Sequence, residues 1–309
     1  MSQIDGLLVL DKPAGCTSHD VVARCRRIFG QKRVGHAGTL DPDATGVLLV
    51  GLGQATRLLQ YLSGLSKRYT GEVVLGVATT TLDAMGTVTG TWDMSGVNLE
   101  AARAAARSLT GQINQVPPMV SALKVGGRRL HELARAGIEV ERAARPVTVW
   151  RFDIELAPVA QIGDKAVLAI DVVCSSGTYV RSLAADLGTA LGGGAHLRCL
   201  RRLAVGSYGV DEAVSLDALE ASPEPAKAVL GPVEALRGMA RLTVSGDVAE
   251  AVGHGRVLPL GAFGDMGREQ PGPWAVLSGA GSLLAVYQTH GPQHAKPSVV
   301  LSFPAGAGA

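Results

Sequence analysis

The sequence predicts an α+β protein: a large body of mixed strands and helices, then a small β-rich unit at the C-terminal end. Three observations predict it. VTVWRFDIEL and KAVLAIDVVC alternate apolar and polar residues as paired strands do. NLEAARAAARSLTG and TSHDVVARCRRIF carry helical periodicity behind good N-caps. After Pro223, Pro225 and Pro232 the composition shifts to short, Gly-rich apolar runs.

Taken in order, GLLVL reads as a strand, and Thr17 or Ser18 caps a helix reaching about Phe29. Gly35 to Gly46, with three glycines and a proline, reads as a loop. VLLVGL is a strand, followed by a short helix near ATRLLQYL, and YTGEVVLGV is a further strand. Asn98 caps the helix NLEAARAAARSLTG, and Gly111 lies just beyond its end. Residues 117–146 hold Pro117, Pro118, a glycine pair and a short basic helix between Arg128 and Ala136, and little of this is apolar enough to bury; an arm or insertion is expected. TYVRSLAADLGTAL reads as a helix capped by Thr178, and HLRCLRRLAVGSY returns to extended structure. The prolines after DEAVSLDALEASPEP read as a linker between a body at 1–235 and a β-rich unit at 239–309, where RLTVSG, WAVLSG, SLLAVYQ and SVVLSF are strand-like.

Of the 309 residues 47% are hydrophobic and 18% charged, which supplies a core and argues against disorder. MSQIDGLLVLDKP reads as neither a secretory signal nor a membrane span, since its apolar run is short and flanked by Asp5 and Asp11. The four cysteines lie far apart without a C-x-x-C pair, a pattern that fits a reducing cytoplasm better than a disulfide framework or a zinc site. The net charge of +2 hides an asymmetry: 23 Lys and Arg face 17 Asp and Glu over residues 1–210, but 6 face 10 over 211–309. Basic clusters at 24–33, 67–68, 124–129 and 198–202 could line a groove for a phosphate backbone or could simply be a solvated surface.

Three motifs point elsewhere and fail on chemistry. VLLVGLGQAT approaches a dinucleotide fingerprint, but Thr56 replaces the third glycine, which normally permits close helix–strand packing. Residues 41–46, DPDATG, open like a calcium loop, but Leu52 stands where a bidentate Glu is required. His290 and His294 have the spacing of two ligands on one helix face, but Pro292 between them breaks the helix.

The informative segment is RVGHAGTLDPDATGVLLVGLGQATR, residues 33–57. Its glycines allow close backbone approach to a ligand, and Pro42 holds Asp41 extended. A carboxylate in such a loop can be a nucleophile or base, or merely the cap of a turn.

Beyond local chemistry, GHAGTLDPDATGVL strongly resembles the catalytic motif of pseudouridine synthases. LLVLDKPAGCTSHDVV, KRYTGEV, VPPMVSALKVGGRRLHELARAG, SSGTYVRSLAADLG and GGGAHLRCLRRLAVG narrow the resemblance to the bacterial tRNA pseudouridine-55 synthase (TruB-type) family, in family order over roughly residues 6–209. The resemblance implies a largely antiparallel central sheet with flanking helices, a cleft across it, and a C-terminal domain of PUA-like type, to which the 239–309 segment bears only a loose match. It implies a monomeric, cytoplasmic isomerase that acts on the T arm of tRNA, with no cofactor, no metal, no membrane and no obligatory protein partner.

Residue by residue, Asp41 matches the aspartate that attacks the target nucleoside. Tyr69 matches the tyrosine that packs on the flipped base and is a candidate for proton transfer, and Arg181 the arginine paired with the catalytic carboxylate. Tyr179 and Leu200 match residues on two sides of the uridine pocket, His36 the histidine set against the RNA, and Lys12 a lysine of supporting role. Breaking the N1–C1′ bond and rejoining the same uracil through C5 changes no redox state. It needs an ionised carboxylate in a mostly apolar pocket, which an arginine partner is expected to keep at a low pKa. Two other classes stand beside this one. A non-catalytic RNA-binding protein would not need Asp41, Tyr69 and Arg181 together. An oxidoreductase built on GLGQAT would retain nucleotide-cofactor absorbance when purified.

Overall fold

The structure, a computed structural model, describes residues 3–121, 123–264 and 272–301. Strand β1 (Gly6–Lys12) leads into helix α1 (Ser18–Phe29). Thr17 is the N-cap: its hydroxyl accepts from the Asp20 N–H while the Asp20 carboxylate accepts from the Thr17 N–H. This reciprocal box satisfies two donors that the helix leaves orphaned. Strand β2 (Val34–Ala37) pairs with β3 (Thr45–Leu52), His36 standing opposite Val50. The expected loop from Gly35 to Gly46 is therefore too long at its start. Residues 35–37 are strand, because β3 offers an edge on which their backbone can pair, and the turn begins at Gly38 with φ 81°.

After β3 come a 3-10 turn at Gly53–Arg57 and α2 (Leu59–Ser63), then β4 (Lys67–Leu75), the small hairpin β5 (Val77–Thr79) and β6 (Val88–Thr91), and α3 (Leu99–Ser108). The Asn98 side chain caps α3 by accepting from the Ala101 N–H, as expected. Strand β7 (Gly111–Gln115) precedes the arm, which holds β8 (Lys124–Val125), β9 (Arg128–Arg129) and α4 (Leu130–Arg135). The arm is better anchored than its composition suggests: Leu130 and Leu133 are buried, and Arg142 Nη1 donates to the Pro117 carbonyl.

Strands β10 (Arg145–Ile162) and β11 (Lys165–Cys174) form the expected antiparallel pair, Ile154 opposite Ile170. Helix α5 (Val180–Ala190) starts one residue later than Thr178 would cap it. Its N-cap is Tyr179, whose N–H donates to Gln115 Oε1 while Gln115 Nε2 donates to the Tyr179 carbonyl, so a glutamine from β7 does the work of a local cap. Strands β12 (Ala195–Val205), β13 (Tyr208–Gly209) and β14 (Val214–Ser215), with α6 (Leu216–Ala221), complete the body.

Ten strands form one sheet. Eight run in the order β14-β1-β3-β12-β4-β11-β10-β7, with β2 added on β3 and β13 on β12. All pairs are antiparallel except β1/β14 and β3/β12. The β3/β12 contact spans only Arg201–Thr45 and Arg202–Gly46, so the sheet is narrowly joined there. Helices α3 and α5 cover one face of β4, β10, β11 and β12 around Val73, Phe152, Ile170 and Leu183.

Strands β1 and β3 read as near-continuous apolar runs because both of their faces are covered. Leu8, Leu10, Leu48 and Val50 pack toward α1, while Leu7, Val9, Val47 and Leu49 share a core with Ala275, Leu277, Val286 and Val299. Those last four belong to a second, five-stranded sheet of β15 (Ala240–Val244), β16 (Leu258–Pro259), β17 (Trp274–Ser278), β18 (Leu283–His290) and β19 (His294–Val300), ordered β15-β17-β18-β19-β16. One helix unread in the sequence, α7 (Gly246–Gly253), follows β15. His290 and His294 pair across the β18–β19 hairpin, whose turn carries Pro292, so no helix joins them. The proline-marked linker is likewise packed: Leu7 and Leu230 exchange main-chain hydrogen bonds, and the Arg237 guanidinium lies 4.2 Å from the centre of the Tyr208 ring.

Candidate active site

The turn at residues 38–44 leaves β2 and enters β3 beside the narrow β3/β12 junction, and it carries Asp41. Helix α5 delivers Arg181 from its first turn. Arg181 Nε meets Asp41 Oδ2 at 3.0 Å and Nη2 meets Oδ1 at 3.0 Å, a bidentate fork. The remaining donors reach the Val120 carbonyl at 2.9 Å, the Thr81 carbonyl at 3.1 Å and Asp83 Oδ2 at 3.3 Å. Arg181 is thus a buried hub that joins the Asp41 turn, the root of the arm and the β5–β6 turn.

The sequence reading missed Asp83. Its turn is tightly built: the Thr81 hydroxyl donates to Asp83 Oδ1, the Met85 N–H does so at 3.1 Å, and the main chain of residues 82–84 bonds Leu197 in both directions. Leu82 adopts φ 63°, uncommon for a residue with a side chain and a local strain of the kind held at functional sites. A run of three threonines before Asp83 was the available signal.

Asp41, Arg181, Tyr69, Tyr179 and Leu200 line one cavity of about 260 Å³, together with Lys67 and Arg202. A second hollow of about 410 Å³ opens from the other side of Asp41 and Leu200 toward Thr81, Asp83 and Met85. Five of the seven residues singled out from the sequence therefore converge. Lys12 supports from behind: it is fully buried and its Nζ donates to the Pro13 and Pro42 carbonyls at 2.8 and 2.9 Å, fixing the turn next to Asp41. His36 is not among the residues lining the cavity. It sits in β2 with its ring edge-on to His19 at 5.3 Å, and its Nδ1 is buried without a hydrogen-bond partner among the described residues.

The electrostatics correct one expectation. Arg181 does pull the Asp41 pKa down, but burial is the larger effect and Asp83 adds repulsion, so the net direction is upward from the usual carboxylate value. Against that burial stand the Arg181 guanidinium and the open cleft, to which 44% of the Asp41 side chain is exposed; both favour the ionised form. Burial raises the Tyr69 phenol, with Arg202 opposing it. Burial, His19 and Arg202 lower His36 to about 4, and burial with Arg202 lowers Lys67 to about 8.

Comparison with known proteins shows the family. A model of the TruB family pseudouridylate synthase N-terminal domain matches residues 26–180, and one of the tRNA pseudouridylate synthase B C-terminal domain matches residues 181–237. A tRNA pseudouridine synthase B of Mycobacterium sp. (strain KMS) is 46% identical over 297 residues, 96% of each chain.

This chain belongs to the TruB family.

Another TruB relative, from Arthrobacter sp. (strain FB24), is 46% identical over 304 residues, 97% of each chain. Among solved structures, a Cbf5–Nop10–Gar1 complex holds a chain with TM-score 0.69 and 26% identity, covering 92% of this chain and 78% of that one. An H/ACA ribonucleoprotein bound to a substrate RNA gives TM-score 0.69 at 23% identity and shares the fold. Among the described residues of this TruB protein no helix is long and apolar enough to cross a membrane.

Proposed function

We propose that this chain isomerises uridine to pseudouridine at position 55, in the T loop of tRNA, with Asp41 as nucleophile. The observation that carries the reading is the bidentate Arg181–Asp41 pair at the mouth of a cavity bearing the Tyr69 phenol and Leu200. The target nucleotide flips out of the loop at a cost of a few kcal/mol, which contacts elsewhere must offset. The uracil packs on Tyr69, with Leu200 and Tyr179 on two sides of it. Asp41 attacks, the N1–C1′ bond breaks, and the uracil turns between those walls; C5 then bonds to C1′ as the carboxylate is released, and the proton lost from C5 balances the one taken up at N1. His36 contacts the RNA outside the cavity, and Lys12 holds the turn.

Residues 1–235 form the catalytic unit, whose 117–146 arm grips the T arm. Residues 239–309 form a PUA-like unit that helps to dock the acceptor end. The protein works as a cytoplasmic monomer with no cofactor or metal. The relatives named tRNA pseudouridine synthase B support this reading over nearly the whole chain. The test maps pseudouridine in an unmodified tRNA transcript before and after incubation with the protein. A product confined to the T-loop uridine is expected; product elsewhere, or none, overturns the proposal.

A further inference from the structure

Arg202, like Lys12, is a charged side chain beside the site with no exposed surface. Among the described residues it makes no ion pair with a carboxylate. Burying a guanidinium without a counter-charge is costly unless its donors are satisfied. Here main-chain oxygens satisfy them: Nε donates to the Val47 carbonyl at 2.7 Å, Nη2 to Gly38 at 3.0 Å and Nη1 to Thr39 at 3.5 Å. Gly38 and Thr39 precede Asp41 in its turn and Val47 follows it, so one side chain holds both ends of the catalytic segment. The Arg202 main chain closes the same grip, since a Cβ placed on Gly46 would lie 2.1 Å from its carbonyl oxygen. From the other side, Tyr69 stands opposite Arg202 in the β12–β4 register, and both line the cavity that holds Asp41.

We propose that Arg202 is a positioning residue for the isomerisation, setting the placement of Asp41 against the neighbouring Tyr69 by holding both ends of the Asp41 turn at once. An apolar side chain of similar volume could fill the space but could not bridge the two ends of the turn, because it has no donors for their carbonyls. The inference rests on the pseudouridine reading of the site.

The test compares wild type with Arg202→Met and Arg202→Lys. It measures T-arm RNA affinity, the single-turnover rate at saturating RNA, and the Tyr69 Cζ resonance in protein labelled with ¹³C-tyrosine, assigned by its loss in Tyr69→Phe. Arg202→Met is expected to bind RNA within about twofold of wild type, to react about 10- to 100-fold more slowly as misplacement of reacting groups does, and to shift the Tyr69 resonance. Arg202→Lys keeps the charge but not the fork, and is expected to remain slow. Wild-type rate and an unmoved Tyr69 resonance in Arg202→Met overturn the proposal, as does full activity in Arg202→Lys. If circular dichroism shows that neither variant folds, Arg202 is a fold determinant and the positioning role is wrong. Should wild type itself form no pseudouridine, the functional reading fails, and the Tyr69 resonance still decides whether Arg202 sets the geometry of the site around Tyr69.

Discussion

Arg181 grips Asp41 through both carboxylate oxygens, Nε to Oδ2 and Nη2 to Oδ1, each at 3.0 Å. The pair crosses 140 residues of sequence and ties the catalytic turn to the first turn of α5. The chemistry proposed for this protein depends on the charge state that the pair maintains.

Asp41→Asn keeps the shape of the side chain and removes the proposed nucleophile. It should bind tRNA as wild type does and lose more than about a thousandfold in turnover, as removal of a nucleophile commonly does. Substantial pseudouridine formation by the variant rules out nucleophilic Asp41. A stability effect follows with its own sign. The folded Asp41 pKa lies above its unfolded value, so ionisation costs folding stability. The Asn variant should match wild type below about pH 4 and become the more thermostable of the two as pH rises above that. Thermal unfolding at pH 4 and pH 8 checks this; a wild-type advantage at pH 8 contradicts it.

Arg181→Gln removes the group that opposes desolvation. The Asp41 pKa then rises further, and the acidic limb of the pH–rate profile must move to higher pH. A rate loss of about 100-fold or more at neutral pH is expected from losing a preorganised charged donor. Single-turnover rates from pH 5 to 9 measure both effects. An unshifted limb means that Arg181 does not set the Asp41 charge.

Burial first, and then the proximity of His19 and Arg202, lowers the His36 pKa to about 4. It should stay neutral from pH 5 to 8 and contribute shape and hydrogen bonding, not charge. Protein NMR of the imidazole resolves this directly; a midpoint near 6.5 contradicts it. The salt dependence of tRNA binding should accordingly be unchanged in His36→Gln, since no phosphate counter-charge is lost.

Gly46 has φ 102°, and a Cβ there would lie 2.1 Å from the Arg202 carbonyl oxygen. Gly46→Ala should cost at least about 1–3 kcal/mol of stability from backbone strain. It should also slow turnover by spreading the β3/β12 junction that carries the Asp41 turn. Denaturant unfolding and single-turnover rates measured together test this, and an unperturbed variant shows that the junction tolerates a side chain.

The local elements were largely legible in the sequence because their causes are local. Thr17 and Asp20 form their capping box within four residues, Asn98 caps α3, and the alternation in β10 and β11 puts Ile154 opposite Ile170. Asp41, Tyr69, Arg181, Tyr179 and Leu200 were legible through their motifs, and the fold gathers them around one cavity. Only the tertiary structure decided the rest. Residues 35–37 are strand because β3, ten residues on, offers them an edge. Tyr179 begins α5 because Gln115 from a distant strand holds both of its main-chain groups. Asp83 and Arg202 became visible as parts of the site only once the chain had folded, since neither lies near Asp41 in sequence. The direction of the Asp41 pKa could not be read from the presence of an arginine: it is set by the balance of desolvation against charge, and burial is a property of the packed molecule.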